Sequence, residues 1–199
     1  MVSRKRTADS KNMIIEKARK IMLDKGYTGT SMREIARACS FDQSNIYNYF
    51  RNKEQLLFQI LAEGLVSQIE SVKHLENDTT TGPLEQLRFI VLNQVNIGLG
   101  HTGNDMLLVD AELRNLSPAN RKKIVEMRDH YEMIVRKVIR RGIDTGVFID
   151  TDEKLAVTMI VSMILRLNVW FSPKGRLSRD EIAGYIYTFT VNSLLKNKK

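Results

Sequence analysis

The sequence predicts an all-α fold, and three observations support this prediction. Apolar residues recur at helical spacing along most of the chain, as Ile14, Ala18 and Ile21 do near its start. Only 3 of the 199 residues are proline, which leaves room for long helices. No stretch of useful length alternates between apolar and polar residues, so nothing indicates a β-strand.

Four helices are predicted in the first third of the chain. The first ends near Gly26, and the capping sequence 31–34 begins the second. Asp42 is placed to cap a short third helix that runs through Tyr49. A fourth helix begins near Asn52 and carries an apolar face.

Five more helices are predicted in the rest of the chain. Pro83 and Pro118 each suit the first turn of a helix, and 178–181 forms another capping sequence. The predicted spans are 83–98, 105–115, 118–142, 153–171 and 179–195. The segment 155–171 is too short for a membrane span and contains Arg166 and Asn168, so a core or dimer-interface helix is the better interpretation.

Positive charge is concentrated at the start of the chain. Residues 1–54 contain 12 Lys and Arg against 6 Asp and Glu, whereas the remaining residues contain 19 against 17. This imbalance points to an anionic partner such as DNA, RNA or a membrane surface, although a basic surface can also serve solubility alone. The single cysteine, Cys39, and the lack of a signal peptide lead us to expect a cytoplasmic protein.

The segments 31–39 and 42–49 fit a helix-turn-helix, in which the second helix enters the major groove of DNA. That second helix begins with Gln43, Ser44 and Asn45, whose side chains can meet base edges. Tyr47 and Tyr49 can pack their rings against the domain and donate their hydroxyls to phosphates, or they can serve the core alone.

The segments TSMREIA (30–36), IYNYF (46–50) and KEQLL (53–57) together closely resemble the DNA-binding domain of TetR-family transcriptional regulators. The resemblance implies a helix-turn-helix domain over 1–54 and a helical ligand-binding and dimerisation domain over 55–199. The residues it places at phosphates are Ser31, Tyr47, Tyr49 and Lys53, and those it places at or near bases are Gln43, Ser44, Asn45 and Asn48. This chain departs from the family in the turn, where Ser40, Phe41 and Asp42 replace a frequent Gly-Val-Ser.

The C-terminal part resembles the branch of this family that senses acyl-CoA thioesters in fatty-acid and steroid catabolism. The similarity lies in 116–121, 128–132, 146–148 and 170–178. It implies a ligand-binding role for Trp170, with which Arg166 shares a helix face at i,i+4. The branch often has an aromatic residue in place of Arg166, so the role of the Arg follows from its position alone.

Arg166 has two open interpretations. Its guanidinium can hold a phosphate, a carboxylate or a thioester oxygen of a ligand, or it can pair inside the core with Glu112 or Asp110. Asn93, Gln94 and Asn96 interrupt the apolar segment 89–99, and Asn93 and Asn96 are the further candidates for ligand binding.

The sequence thus predicts a homodimeric repressor that binds a double-stranded DNA operator and is released by a small-molecule inducer, for which the C-terminal resemblance suggests an acyl-CoA. No catalytic residue, metal site or cofactor is predicted, because the three histidines lack ligand spacing and no phosphate-binding loop is present. Two alternatives stay open: a multidrug-sensing repressor of an efflux gene, and a helical interaction module that no longer binds DNA. A helical enzyme is disfavoured by the missing catalytic set.

Overall fold

The protein is described by a computed structural model that covers residues 2–100, 108 and 111–196, with the backbone alone for residues 2–8. The predicted all-α fold is confirmed, and an isolated bridge between Phe148 and Leu195 is the only β pairing among the described residues. The α-helices are α1 (Val2–Lys25), α2 (Met32–Ala38), α3 (Gln43–Tyr47), α4 (Lys53–Val72), α5 (Pro83–Gly98), α6 (Pro118–Asp144), α7 (Glu153–Leu165), α8 (Leu167–Trp170) and α9 (Arg179–Leu194).

An N-terminal core holds α1, α2, α3 and the first part of α4 together. Ile14, Ile35, Ile46 and Leu56 are fully buried in it, and Phe50 is nearly so. Each such side chain contributes roughly 1.5–3 kcal/mol through burial. On α3 only Ile46 is buried, so this short helix is held at one position and presents its other side chains outward.

A second, C-terminal core forms between α5, α6, α7 and α9. Val91, Val135 and Val157 are fully buried there. Gly142 of α6 makes room for Phe148, because a Cβ atom at Gly142 would lie 1.9 Å from Cδ2 of that ring. Leu57 of α4 belongs to the N-terminal core and Val72 of the same helix to the C-terminal core, so α4 runs through both. The division at 54/55 stays a prediction.

Three local predictions need correction. The third helix ends at Tyr47 rather than Tyr49, and Asp42 stands at its N-cap without a side-chain capping bond. The single helix predicted over 153–171 is interrupted at Arg166, where the backbone hydrogen bonds tighten as the amide of Val169 donates to the carbonyl of Arg166 at 3.1 Å. Of the helix predicted over 105–115, residues 105–107, 109 and 110 lie outside the described residues, 108, 111 and 112 are helical, and the end, Leu113–Asn115, is a 3-10 turn.

Candidate DNA-binding surface and ligand cavity

The polar residues predicted to meet DNA lie together on α3. Gln43, Ser44 and Asn45 are exposed, and Tyr47 is 46% exposed. Asn48, directly after the helix, is exposed as well, and the predicted phosphate-binding residue Tyr49 is half-buried. The structure therefore brings these side chains to one accessible surface, in a form that can enter a major groove.

Ser31 begins α2 by accepting a hydrogen bond from the amide of Glu34 at 3.1 Å. The carboxylate of Glu34 does not return to Ser31 but binds the ammonium of Lys25, and that hydrogen bond lowers the pKa of Glu34. The predicted capping box is therefore only half formed. Ser31 itself remains exposed.

The turn between α2 and α3 depends on Ser40, whose φ of 56° is in the left-handed region. Its amide donates to the carbonyl of Arg37 at 3.1 Å, and the next amide, that of Phe41, donates to Ala36 at 2.9 Å. These two bonds form a Schellman motif, in which the left-handed position is usually glycine. A serine accepts this conformation at a cost in backbone strain.

Lys53 lies where the chain enters α4 and is already engaged within the protein. Its ammonium donates to the carbonyl oxygens of Tyr27 and Thr30, both at 2.6 Å, and stands 4.2 Å from the centroid of the Tyr27 ring. An ammonium has three donors, so one remains for a phosphate. Lys53 thus fixes the α1–α2 turn, and its phosphate contact stays a prediction.

Two carboxylates connect the DNA-binding part to the rest of the chain. Glu112, which is 8% exposed, accepts a hydrogen bond from the Tyr27 amide at 2.9 Å and another from the side chain of Asn115. Glu54 of α4 accepts from the amide of Ser117 at 2.8 Å, and this bond lowers the pKa of Glu54. Burial, together with these two carboxylates, raises the pKa of the Tyr27 phenol. We refer to these contacts as the interdomain junction.

A narrow cavity lies between α4, α5, α6 and α7. Its volume is about 20 Å³, which is room for roughly one water molecule. Most of the lining is aliphatic, from residues such as Ile90, Val135 and Ile160. The polar residues at the cavity are Gln68, Gln94, Tyr131 and Asn168.

Three of these polar residues form a compact group that we call the polar trio: Gln68, Gln94 and Tyr131, which are 2%, 6% and 2% exposed. The Gln68 side-chain amide donates to Oε1 of Gln94 at 2.8 Å. Oε1 of Gln68, Nε2 of Gln94 and the Tyr131 hydroxyl are buried without a hydrogen-bond partner. Burial raises the pKa of the Tyr131 phenol, and the nearby side chains of Gln68 and Gln94 offset part of that rise.

The predicted ligand residues lie at different places around this cavity. Arg166 is exposed and Trp170 is 59% exposed, and both flank Asn168 at the α7–α8 break. The interpretation in which Arg166 pairs inside the core is therefore wrong, because its side chain is exposed. Its proposed pairing with Glu112 is not formed, because Glu112 binds Tyr27 and Asn115, and Asp110 lies outside the described residues.

Asn93 and Asn96 stand beside the cavity rather than in its lining. The Asn93 side chain donates to Oγ of Ser71 at 2.8 Å, and Asn96 is exposed. The sequence pattern singled out Gln94, but it did not predict that Gln94 meets Gln68 and Tyr131. The available signal was Gln68 and Gln94 within otherwise apolar helix faces, since a glutamine between Leu65 and Ile69 is costly unless it has partners.

An apolar surface extends over α7 and α9. Leu155 and Met159 are 53% and 59% exposed on α7, and Tyr185 and Phe189 are 67% and 65% exposed on α9. A groove of about 500 Å³ runs between the two helices. Large apolar side chains exposed together in this way mark a protein–protein contact surface.

Within the described parts of the chain, no group of three His, Cys, Asp or Glu residues is placed to hold a metal ion. None of the helices described is both long and apolar enough to cross a membrane.

Residues 14–60 match the family model for bacterial regulatory proteins of the tetR family, and residues 80–194 match a tetracyclin repressor-like C-terminal domain. The chain is similar to the transcriptional repressor KstR2 of Mycolicibacterium smegmatis, with 24% identity over 88% of this chain and 85% of the relative. It is also similar to the fatty acid metabolism regulator protein of Bacillus subtilis, with 27% identity over 76% and 77% of the two chains. Among solved structures, that of AibR in complex with isovaleryl coenzyme A and operator DNA matches with a TM-score of 0.83 and 26% identity over 90% of this chain and 97% of AibR.

Proposed function

Because this chain belongs to the TetR family of bacterial transcriptional regulators, we propose that it is a homodimeric repressor, which leaves its DNA operator when a small ligand binds the C-terminal domain. The observation that carries this proposal is α3, on which Ile46 is buried and Gln43, Ser44, Asn45 and Tyr47 face outward. The chain is a regulator and not an enzyme, and it works in the cytoplasm, where its operator lies.

The side chains around α3 divide into two kinds of DNA contact. Gln43, Ser44, Asn45 and Asn48 read base edges, for which amide side chains suit adenine best. The phosphate-binding residues are Ser31, Tyr47, Tyr49 and Lys53, whose donors fix the position of the protein on the duplex. The excess positive charge in 1–54, together with the intact YNYF sequence at 47–50, argues against the interaction-module alternative.

The DNA proposal is tested by fluorescence anisotropy, which measures the affinity of the protein for a duplex that contains its operator and for an unrelated duplex of equal length. Tyr47→Ala should weaken binding to both duplexes, whereas Gln43→Ala should cost about 1–3 kcal/mol on the operator alone. Gln59→Ala, on α4 where Gln59 bonds Glu63, is the matched control. A Gln43→Ala variant with unchanged operator preference would remove Gln43 from the base-reading set, and a wild-type protein without affinity for any duplex would favour the interaction module.

The ligand we propose is an acyl-CoA thioester. Support comes from the relatives, which include a fatty acid metabolism regulator and AibR with isovaleryl coenzyme A. Arg166 and Trp170, both exposed at the α7–α8 break, suit the phosphates and the base of coenzyme A. Asn93 and Asn96 remain candidates next to the cavity. A multidrug sensor for cations is disfavoured, because no described Asp or Glu lines the cavity.

The ligand proposal is tested by titrating acyl-CoAs into the protein–operator complex and following release. Arg166→Met should fold and bind the operator as the wild type does, since the guanidinium is exposed, but it should need more acyl-CoA for release. Lys174→Met, another exposed cation near α8, is the control. A full response of Arg166→Met to acyl-CoA would exclude Arg166 from the ligand site.

The homodimer forms through α7 and α9, whose apolar side chains are exposed in the single chain. A two-fold dimer places two copies of α3 on inverted half-sites. Phe189→Glu should weaken dimerisation and operator binding together, and light scattering measures the first. Ile186, on the same helix, is half-buried against the C-terminal core, so Phe189 is the cleaner position for this test. A monomer that still binds its operator tightly would defeat this assembly.

A further inference from the structure

We propose that the cavity between α4, α5, α6 and α7 receives the acyl part of the ligand, and that the polar trio recognises one uncharged oxygen atom of it. This inference rests on the proposed function and adds the chemistry of the buried part of the ligand. It is carried by three buried polar atoms that have no partner and line one cavity.

The hydrogen-bonding groups of the polar trio define what the ligand has to supply. Oε1 of Gln68 needs a donor, Nε2 of Gln94 needs an acceptor, and the Tyr131 hydroxyl can act as either. A carbonyl oxygen has two lone pairs and can accept both from Gln94 and from the Tyr131 hydroxyl. A hydroxyl group can accept from Gln94 and donate to Gln68 directly. The hydroxyl oxygen can also accept from Tyr131, so one hydroxyl satisfies all three residues, whereas one carbonyl oxygen satisfies two of them.

The residues that line the cavity also favour an uncharged ligand group. Its lining contains no described Asp, Glu, Lys, Arg or His, and the Tyr131 phenol is neutral because burial raises its pKa. A carboxylate or an ammonium placed there would lose its hydration without gaining a counter-charge. The buried end is therefore a neutral, mostly aliphatic group, and the charged phosphates of the ligand stay outside, beside Arg166.

Two positions in an acyl-CoA can supply this oxygen atom. It can be the thioester carbonyl, or it can be a hydroxyl or keto group further along the acyl chain. Three coenzyme A derivatives distinguish these sources: hexanoyl-CoA, 3-hydroxyhexanoyl-CoA, and S-hexyl-CoA, a thioether without either oxygen. Their affinities for the full-length protein are measured by isothermal titration calorimetry.

We expect S-hexyl-CoA to bind about tenfold or more weakly than at least one of the oxygen-bearing derivatives, since it leaves the polar trio unpaired. If hexanoyl-CoA and 3-hydroxyhexanoyl-CoA bind equally tightly, the thioester carbonyl is the recognised atom. If only the hydroxy derivative binds tightly, the recognised atom is in the chain. Tyr131→Phe and Gln94→Met should each reduce the discrimination, whereas Tyr187→Phe, a half-buried tyrosine on α9, should retain it.

Circular dichroism establishes that each variant is folded, and operator binding is measured separately by anisotropy. Equal affinity of the wild type for all three derivatives overturns the inference, and so does full discrimination by both Tyr131→Phe and Gln94→Met. Failure of every coenzyme A derivative to bind also overturns it. In that case operator binding by the same preparation shows whether the regulator function stands.

Discussion

Replacing Glu112 by alanine should destabilise the protein, although Glu112 lies outside both the DNA-binding surface and the ligand cavity. The carboxylate is 8% exposed and accepts the Tyr27 amide at 2.9 Å, 85 positions earlier in the chain. A hydrogen bond to a charged acceptor contributes about 1.5–3 kcal/mol, and the alanine variant leaves the partly buried Tyr27 amide without this partner. We therefore expect the free energy of unfolding to fall by about 2–3 kcal/mol, through the loss of the hydrogen bond and the unpaired Tyr27 amide together.

Urea unfolding followed by circular dichroism measures this change. Glu112→Gln keeps an oxygen atom for the Tyr27 amide but places an NH2 group against the Asn115 side chain, so it should lose about 1–1.5 kcal/mol, less than Glu112→Ala. Glu126→Ala removes an exposed carboxylate on α6 and should change the stability by no more than about 0.5 kcal/mol. A Glu112→Ala variant as stable as Glu126→Ala would show that the Glu112 contacts of the interdomain junction do not contribute to the stability of the protein.

Three further predictions follow from local geometry. Gly142→Ala should cost about 3 kcal/mol, because its Cβ would overlap the Phe148 ring. Gly184→Ala on α9, where a Cβ meets no atom of the same chain, should gain about 0.5–1 kcal/mol, and thermal unfolding measures both changes. Ser40→Gly should raise the melting temperature, by the equivalent of about 0.5–1 kcal/mol, since glycine adopts φ of 56° without strain, and a lower melting temperature would contradict the strain. The folded-state pKa of Glu54 is lowered, so its stabilising effect is present above the unfolded pKa of about 4.3 and is lost as pH falls through the folded value; the stability difference between wild type and Glu54→Gln should therefore shrink as urea unfolding is repeated from about pH 6 down to pH 3, and a constant difference would contradict it.

The helix ends could be predicted from the sequence wherever a residue with a local structural effect marks them. Pro83 and Pro118 begin α5 and α6 as expected, and the capping box at Ser178 is fully formed. Such signals act within a few residues, so the sequence contains them directly. The interruption at Arg166 carries no proline or glycine, and its apolar surroundings continue on both sides, so the pattern indicated one helix.

The exposed polar side chains of α3 could also be predicted, because they belong to five consecutive residues of which Ile46 alone is buried. The polar trio and the interdomain junction depend on pairs far apart in the chain. Gln68 and Gln94 meet across 26 positions, and neither residue identifies the other in the sequence. Only the packing of α4 against α5 and α6 brings them and Tyr131 together.

The small volume of the cavity has a consequence for the rate at which a ligand binds. A space of about 20 Å³ cannot admit an acyl chain, so helices around it have to separate first. When opening precedes binding, the observed association rate rises with ligand concentration only until it reaches the opening rate, and then it levels off. Only the open molecules bind ligand, so the apparent affinity falls in proportion to the fraction of molecules that are open. A substitution that enlarges the cavity without touching the ligand would therefore raise both the rate of ligand binding and the apparent affinity.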